Sequence, residues 1–233
     1  MKSYAFIFAR KGSKGLPGKN FKSFMGKPLI QYSIEVALQT SGITKVFVST
    51  DDNEIAKISR SVGAIVIDRP YELAQDDTPE WQAWKHAINW VKQRYGEFEE
   101  FISLPPTSPL RRVKDVETAM IKRSDIGADV CIVITPASHS PYFNMVRESN
   151  DNFIELVNKP TNSIIRRQDT PKVFDITTVA YVANVEFIMK SNNLFDGNVT
   201  SIKVPKNRAV DIDDIYDFNF AELIFKNNLN KDD

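Results

Sequence analysis

The 233-residue chain has a single cysteine, so an internal disulfide and any zinc site built from several thiolates are excluded. Cys131 sits in an apolar run, 129–134, and reads as a buried, inert thiol. Excess charge is lacking too, because thirty basic residues balance thirty acidic ones. No global field draws the chain to nucleic acid or anionic lipid, so any anion binding has to be local. No apolar stretch approaches the ~20 residues that cross a bilayer. Residues 1–3 run straight into a strand with no leader ahead of them, and the expectation is a cytoplasmic protein without a membrane partner. Internal repeats and a linker between two domains are missing as well. The remainder, 42% apolar and 26% charged residues, suits one α/β domain over 1–233 with a sizeable core.

Against that ordinary background one stretch stands out. An apolar run beginning at Tyr4 stops at Arg10, and three glycines, one proline and further cations follow through Lys19. Glycines let a backbone turn and bring its N–H groups close to a ligand. Arg10, Lys11, Lys14 and Lys19 supply positive charge, which makes polyphosphate the natural guest. The spacing departs from both common phosphate motifs. Five residues separate Gly12 from Gly18, where a P-loop has four, and Asn20 stands in place of the metal-binding hydroxyl. Gly12, Gly15 and Gly18 lie three apart, unlike the Rossmann fingerprint. A lysine-decorated surface turn is the plainer alternative.

Further along, strands alternate with helices. A helix follows Pro28 with Ile30, Ile34, Ala37 and Leu38 on its inner face, and residues 45–50 form a second strand. Asp51 is read as the cap of the next helix, with Glu54 in the capping-box position. Residues 64–68 form a third strand, and Trp81, Trp84, Ile88 and Val91 make a helical stripe that suits a core better than base stacking. His86 falls on the far side of that helix, where solvent is expected. Strands at 101–106 and 129–135 flank a helix at 113–124. The rhythm then breaks over 136–172, resumes with a strand at 174–182, and ends in a helix containing Ile215, Phe218 and Phe225. This order predicts a Rossmann-like, doubly wound and mostly parallel sheet.

In such sheets ligands bind beyond the carboxyl ends of the strands. Residues 10–19, 50–51, Arg69, 107–111 and the pair Asp211 and Asp213 are all expected there. In an extended segment the two carboxylates point the same way. That suits Mg2+, which takes one or two carboxylates together with water and phosphate oxygens. A helix N-cap followed by polar turns is the other reading of the doublet.

Taken together the motifs resemble a known family. The ordered set is Ala9-Arg-Lys-Gly-Ser-Lys-Gly-Leu-Pro-Gly-Lys-Asn20, Gly26-Lys-Pro-Leu-Ile30, Val48-Ser-Thr-Asp51, Arg69-Pro70, Pro106-Thr-Ser-Pro-Leu-Arg111, Arg166-Arg-Gln-Asp169 and Val210-Asp-Ile-Asp213. It resembles the acylneuraminate cytidylyltransferases, which make CMP-sialic acids and related CMP-nonulosonates. The resemblance implies a nucleotidyltransferase fold, with CTP and a 2-keto-3-deoxy sugar acid as substrates and Mg2+ or Mn2+ as cofactor. It also implies roles. Arg10, Lys19, Asp211 and Asp213 would carry catalysis, the last two as metal ligands. Ala9, Gly12, Ser13, Lys14, Gly15, Arg69 and Thr107 would join Arg10 and Lys19 in holding the nucleotide. Ser108, Arg111, Arg167, Gln168 and Tyr181 would face the sugar acid, with Arg167 on its carboxylate. The 136–172 excursion would help form a homodimer whose partner reaches the neighbouring site.

Two positions depart from the family pattern, and both lie on the sugar side. Pro105 replaces a glutamine, and Thr177-Thr178 stand where Asn-Gly is usual. The segment from Ser138 to Asn144 resembles CMP-legionaminate-type enzymes. A Kdo-like or phosphonate acceptor and an idle nucleotide-binding module are the competing readings.

Overall fold

A computed structural model describes residues 2–12, 14–149, 152–159 and 165–229. The chain opens with β1 (Ser3–Phe8), a short hairpin of β2 (Ser23–Phe24) and β3 (Lys27–Pro28), then α1 (Leu29–Gln39). There follow β4 (Ile43–Thr50), α2 (Asn53–Ser61), β5 (Ile65–Asp68), α3 (Glu80–Tyr95), β6 (Glu100–Ser103) and α4 (Val113–Ile126). The second half contains β7 (Val130–Pro136), a hairpin of β8 (Val146–Glu148) and β9 (Ile154–Leu156), and β10 (Phe174–Asn184). It closes with α5 (Val185–Lys190), β11 (Val199–Lys203) and α6 (Ile215–Leu229).

The seven-stranded sheet runs β11-β7-β10-β6-β1-β4-β5. All pairings are parallel except those of β10, which lies antiparallel between β6 and β7. From β1 the chain winds first outward through β4 and β5, then back to β6 on the other side. That reversal opens a crevice at the carboxyl ends of β1 and β6, the usual ligand position in this topology.

Strand alternation feeds two cores. Ala5 and Ile7 of β1 join Ile30 and Ile34 of α1, Ile55 of α2 and Val116 of α4 on one face. Tyr4 and Phe6 turn to the other, where Trp81, Trp84, Ile88 and Val91 of α3 pack against the sheet. The tryptophan stripe is thus core, and Phe6 stacks on Phe101 at 4.6 Å beneath it. Leu38 was expected inward but is 48% exposed. His86 is half-buried, with an Nδ1 that has no partner among the described residues and a pKa lowered by burial. A third cluster, with Phe24, Leu110, Ile212 and Phe218, ties the first hairpin and α6 to the loop between β6 and α4. No helix among the described residues is long and apolar enough to cross a membrane.

Candidate active site

The glycine loop leaves β1 with Ala9 donating its N–H to the Ser49 carbonyl at 3.1 Å. Gly18 adopts φ 69°, a left-handed turn that swings the following 3-10 turn inward, so Lys19 and Asn20 are buried. Lys19 Nζ donates to the Ile212 carbonyl at 2.5 Å and stands 3.6 Å from Asp213 Oδ1. Gly15 lies so close to the acidic segment that a Cβ there would meet the Asp213 carbonyl oxygen at 2.2 Å. The first loop and the late doublet, almost two hundred residues apart in sequence, therefore form one wall.

On the doublet's side, Ile212 is fully buried and donates its N–H to the Thr107 carbonyl at 2.9 Å. Asp211 and Asp213 flank it and face the opening. Thr107 and Thr178 hydroxyls donate to the Asp211 carboxylate, yet its Oδ1 is buried without a partner among the described residues. Burial raises the Asp211 pKa, and the nearby Asp213 charge adds to the rise; the threonine bonds and Lys19 oppose it. Helix capping belongs to other residues. Asp214 Oδ1 accepts from Tyr216 and Asp217 N–H at 2.8 and 3.0 Å, and Asp217 Oδ2 accepts from Asp213 and Asp214. The doublet is consequently free of the cap role.

Arg10, Gly12, Lys14, Gly15, Lys19, Thr107, Tyr181, Asp211 and Asp213 line one cleft of about 540 Å³. Burial lifts the Tyr181 phenol to about 12, with Glu80 and Asp211 adding to the effect. A smaller cavity of about 270 Å³ adjoins the cleft and shares Phe8, Arg10 and Glu80 with it. Arg69 lines that cavity, buried, with its guanidinium 5.5 Å from the Phe8 ring centre. Its pKa is lowered to about 10 by burial, which still leaves it cationic at neutral pH.

A carboxylate engages the cationic loop. Asp76 pairs with Arg10 and, at 2.6 Å, with Lys14. The bonds from Lys14 and Arg10 hold its pKa below the ordinary range. A triphosphate reaching Arg10 and Lys14 has to displace it. Asp76→Asn is expected to tighten nucleoside triphosphate binding by about 3- to 10-fold, because the binding-competent loop is then more populated. Titration calorimetry at fixed ionic strength checks this, and weaker binding by the variant would contradict it.

Several expected site residues lie elsewhere. Ala9 is buried in the core and Ser108 is fully buried, bonding Thr178 Oγ1 at 2.7 Å. Arg111 is buried behind the cleft wall and donates to the carbonyls of Val179 at 2.6 Å, Thr178 at 3.0 Å and Pro105, and to Ser33 Oγ. These bonds leave Ser108 and Arg111 fastening β10 to the turn after β6, so neither faces a sugar. Arg167 and Gln168 line a separate cavity with His139, and Arg167 Nη2 is bound to the Ala137 carbonyl at 2.7 Å. Within one chain they do not reach the cleft. Ser13 lies outside the described residues. Asp52, rather than Asp51, caps α2, accepting from Glu54 and Ile55 N–H; Asp51 instead accepts from Lys11 N–H at 2.8 Å.

Sequence reasoning missed Glu80 in the cleft and Asp76 in the adjoining cavity, and placed Thr178 on the sugar side without a role. Glu80 is the first residue of α3, and an acid in a first helical turn is ordinarily read as a partner for the helix dipole. Among the described residues no group of three or more His, Cys, Asp or Glu side chains is placed to hold a metal ion. A bare doublet with one orphaned buried oxygen nevertheless suits a cation that takes its other ligands from phosphate and water.

Known proteins resemble the chain in sequence and in fold. A family model described as Cytidylyltransferase matches residues 4–126. The N-acylneuraminate cytidylyltransferase of Escherichia coli O18:K1:H7 is 32% identical over 96% of this chain, which spans 52% of that protein. The CMP-N,N'-diacetyllegionaminic acid synthase of Campylobacter jejuni is 29% identical over 94% of this chain and 92% of its own length. A solved structure of CMP:2-keto-3-deoxy-manno-octonic acid synthetase complexed with CTP superposes with a TM-score of 0.74 at 19% identity, covering 98% of this chain and 100% of that one.

Proposed function

Because the chain belongs to the cytidylyltransferase family, we propose that it transfers the cytidylyl group of CTP to a 2-keto-3-deoxy sugar acid of the nonulosonate type. The anomeric oxygen forms a bond to the α-phosphorus while the α–β phosphoanhydride breaks. The hydroxyl proton is lost, and pyrophosphate leaves. The observation that carries the reading is the meeting of Gly15 and Lys19 with Asp211 and Asp213 along one cleft. The relatives named for sialic and legionaminic acids support the choice of acceptor.

Phosphoryl transfer asks a protein mainly for in-line positioning and charge neutralisation. Arg10 and Lys14 exchange Asp76 for phosphate oxygens, and Lys19, anchored on the Ile212 carbonyl, holds its charge at the doublet's edge. Asp211 and Asp213 would hold Mg2+ or Mn2+, which supplies charge neutralisation for the triphosphate and the departing pyrophosphate. The same carboxylates orient the sugar's anomeric hydroxyl, and Tyr181, Thr107 and Thr178 shape that side of the cleft. Such work belongs in the cytoplasm, where CTP is made, and needs neither nucleic acid nor membrane.

The active form proposed is a homodimer. The excursion exposes Phe143, Met145, Val146, Phe153, Ile154 and Ile165, an apolar set that a second copy would cover. Arg167, lying outside its own chain's cleft, would then serve the neighbouring one as a fork for the sugar carboxylate. Arg167→Ala is expected to raise KM for the sugar acid about 10-fold or more while leaving KM for CTP unchanged, the loss typical of one charge-assisted bond. Initial-rate kinetics against each substrate separate the two, and equal effects on both would contradict the assignment. The function itself is tested by incubating the protein with CTP, Mg2+ and a panel of nonulosonates. Pyrophosphate release with one acid, and a product of CMP-sugar mass, is the expected result. Folded protein that releases none with any acid overturns it.

A further inference from the structure

The small cavity beside the main cleft carries a donor on one wall and an acceptor on another. Arg69 is the donor. Ser49 fixes it, with Nε donating to Oγ at 3.1 Å and Nη2 to the carbonyl at 2.8 Å, while Phe8 lies under the guanidinium. Glu80 is an acceptor, and Asp76, paired with Arg10 and Lys14, lines the same cavity. Glu80 Oε1 is held by the Trp84 indole N–H at 3.2 Å, and its side chain lines both the small cavity and the cleft. Although Glu80 keeps access to solvent, protein crowds its carboxylate and raises its pKa; the Trp84 bond and the Arg69 charge counteract this. A nucleotide whose phosphates follow residues 10–19 would cross Arg10 and Glu80 to place its base in this cavity, a placement that rests on the function proposed above.

The polarity of that cavity distinguishes one pyrimidine from the other. Cytosine presents an exocyclic amine, a donor, beside two acceptors. Uracil presents a carbonyl oxygen in place of the amine and an N–H in place of the ring acceptor. An ionised carboxylate can only accept and a guanidinium can only donate. We infer that Glu80 is the residue that selects cytosine over uracil, its carboxylate accepting from the exocyclic amine while Arg69 donates to the base's acceptor edge. A uracil in the same pose sets its carbonyl oxygen against the carboxylate, and both groups lose their partners.

The test is nucleotide binding by calorimetry with Mg2+ and no sugar acid, using CTP, UTP and dCTP. Wild-type protein is expected to prefer CTP to UTP. Glu80→Gln, whose amide can turn either face to the base, is expected to shrink that preference by about 10- to 100-fold, the worth of a good base-edge contact. The ratio of CTP to dCTP should not move. A second measurement uses wild-type protein alone: the triphosphate of 2-pyrimidinone riboside, which lacks the amine, should bind about 10- to 100-fold more weakly than CTP. An unchanged CTP-to-UTP ratio in the variant overturns the inference, as does an equal loss for all nucleotides or a shift confined to dCTP. Wild-type protein that binds CTP and UTP alike overturns it while leaving nucleotide binding intact. Wild-type protein that binds neither removes the proposed function as well.

Discussion

Asp211→Asn is expected to lower turnover by at least ~10²-fold while leaving the ligand-free protein as stable as the parent, or slightly more so. The activity loss follows from removing half of the acidic pair that faces the cleft. The stability effect follows from burial. Asp211 Oδ1 has no partner among the described residues, and its pKa is raised above the ordinary aspartate value. In the window between the ordinary and the raised value, the folded protein binds more protons than the unfolded chain. Stability therefore falls as pH rises through that window, and the cost persists above it. Asparagine removes the charge and that slope. Turnover rates and melting curves across pH check both statements. A large drop in melting temperature for the variant would mean that Asp211 is a structural group.

Gly15→Ala is expected to be nearly as damaging, though it removes no functional group. A methyl there would lie 2.2 Å from the Asp213 carbonyl oxygen, so either the loop or the doublet has to retreat. Displacements of about 1 Å in a catalytic constellation cost about 10²-fold in rate, and a loss of that order is expected in kcat/KM. Gly12→Ala is the matched comparison for packing, because a Cβ at Gly12 meets no protein atom within 4 Å. A fall in melting temperature in the Gly15 variant with none in the Gly12 variant would locate the effect in the loop–doublet contact. Equal melting temperatures for the two would contradict the close packing.

Sequence made the fold and one wall of the cleft legible, for physical reasons that differ by residue. Helices and strands announced themselves through period, as Trp81, Trp84, Ile88 and Val91 did in α3. The glycine loop and the doublet were readable because clustered glycines with cations, and two carboxylates one residue apart, are uncommon patterns in a chain. Finer placements depended on contacts between distant segments. Asp51 and Asp52 are equal as caps on paper; Lys11 N–H takes the first and leaves α2 to the second. A guanidinium that grips a substrate carboxylate and one that binds four protein oxygens look identical in a string, and Arg111 is the latter. Burial pushes its pKa down to about 9, consistent with a group enclosed by protein. Arg167 matched a motif yet lies across a different cavity, a separation that only the path of the excursion decides. Glu80 and Asp76 were hidden for a related reason. Acids near a helix start are common, and nothing local tells which ones look into a cleft.

The amino-terminal cationic loop and the Asp211–Asp213 pair are expected to close on a single metal–triphosphate. The most direct measurement is anomalous diffraction from crystals grown with CTP and Mn2+, which locates the metal independently of the protein. The predicted result is one manganese peak, or two adjacent ones, bonded to Asp211 and Asp213 and to triphosphate oxygens that also touch Arg10 and Lys19. A peak and triphosphate lodged elsewhere, for instance in the cavity of His139 and Arg167, with Asp211 left bare, would contradict it.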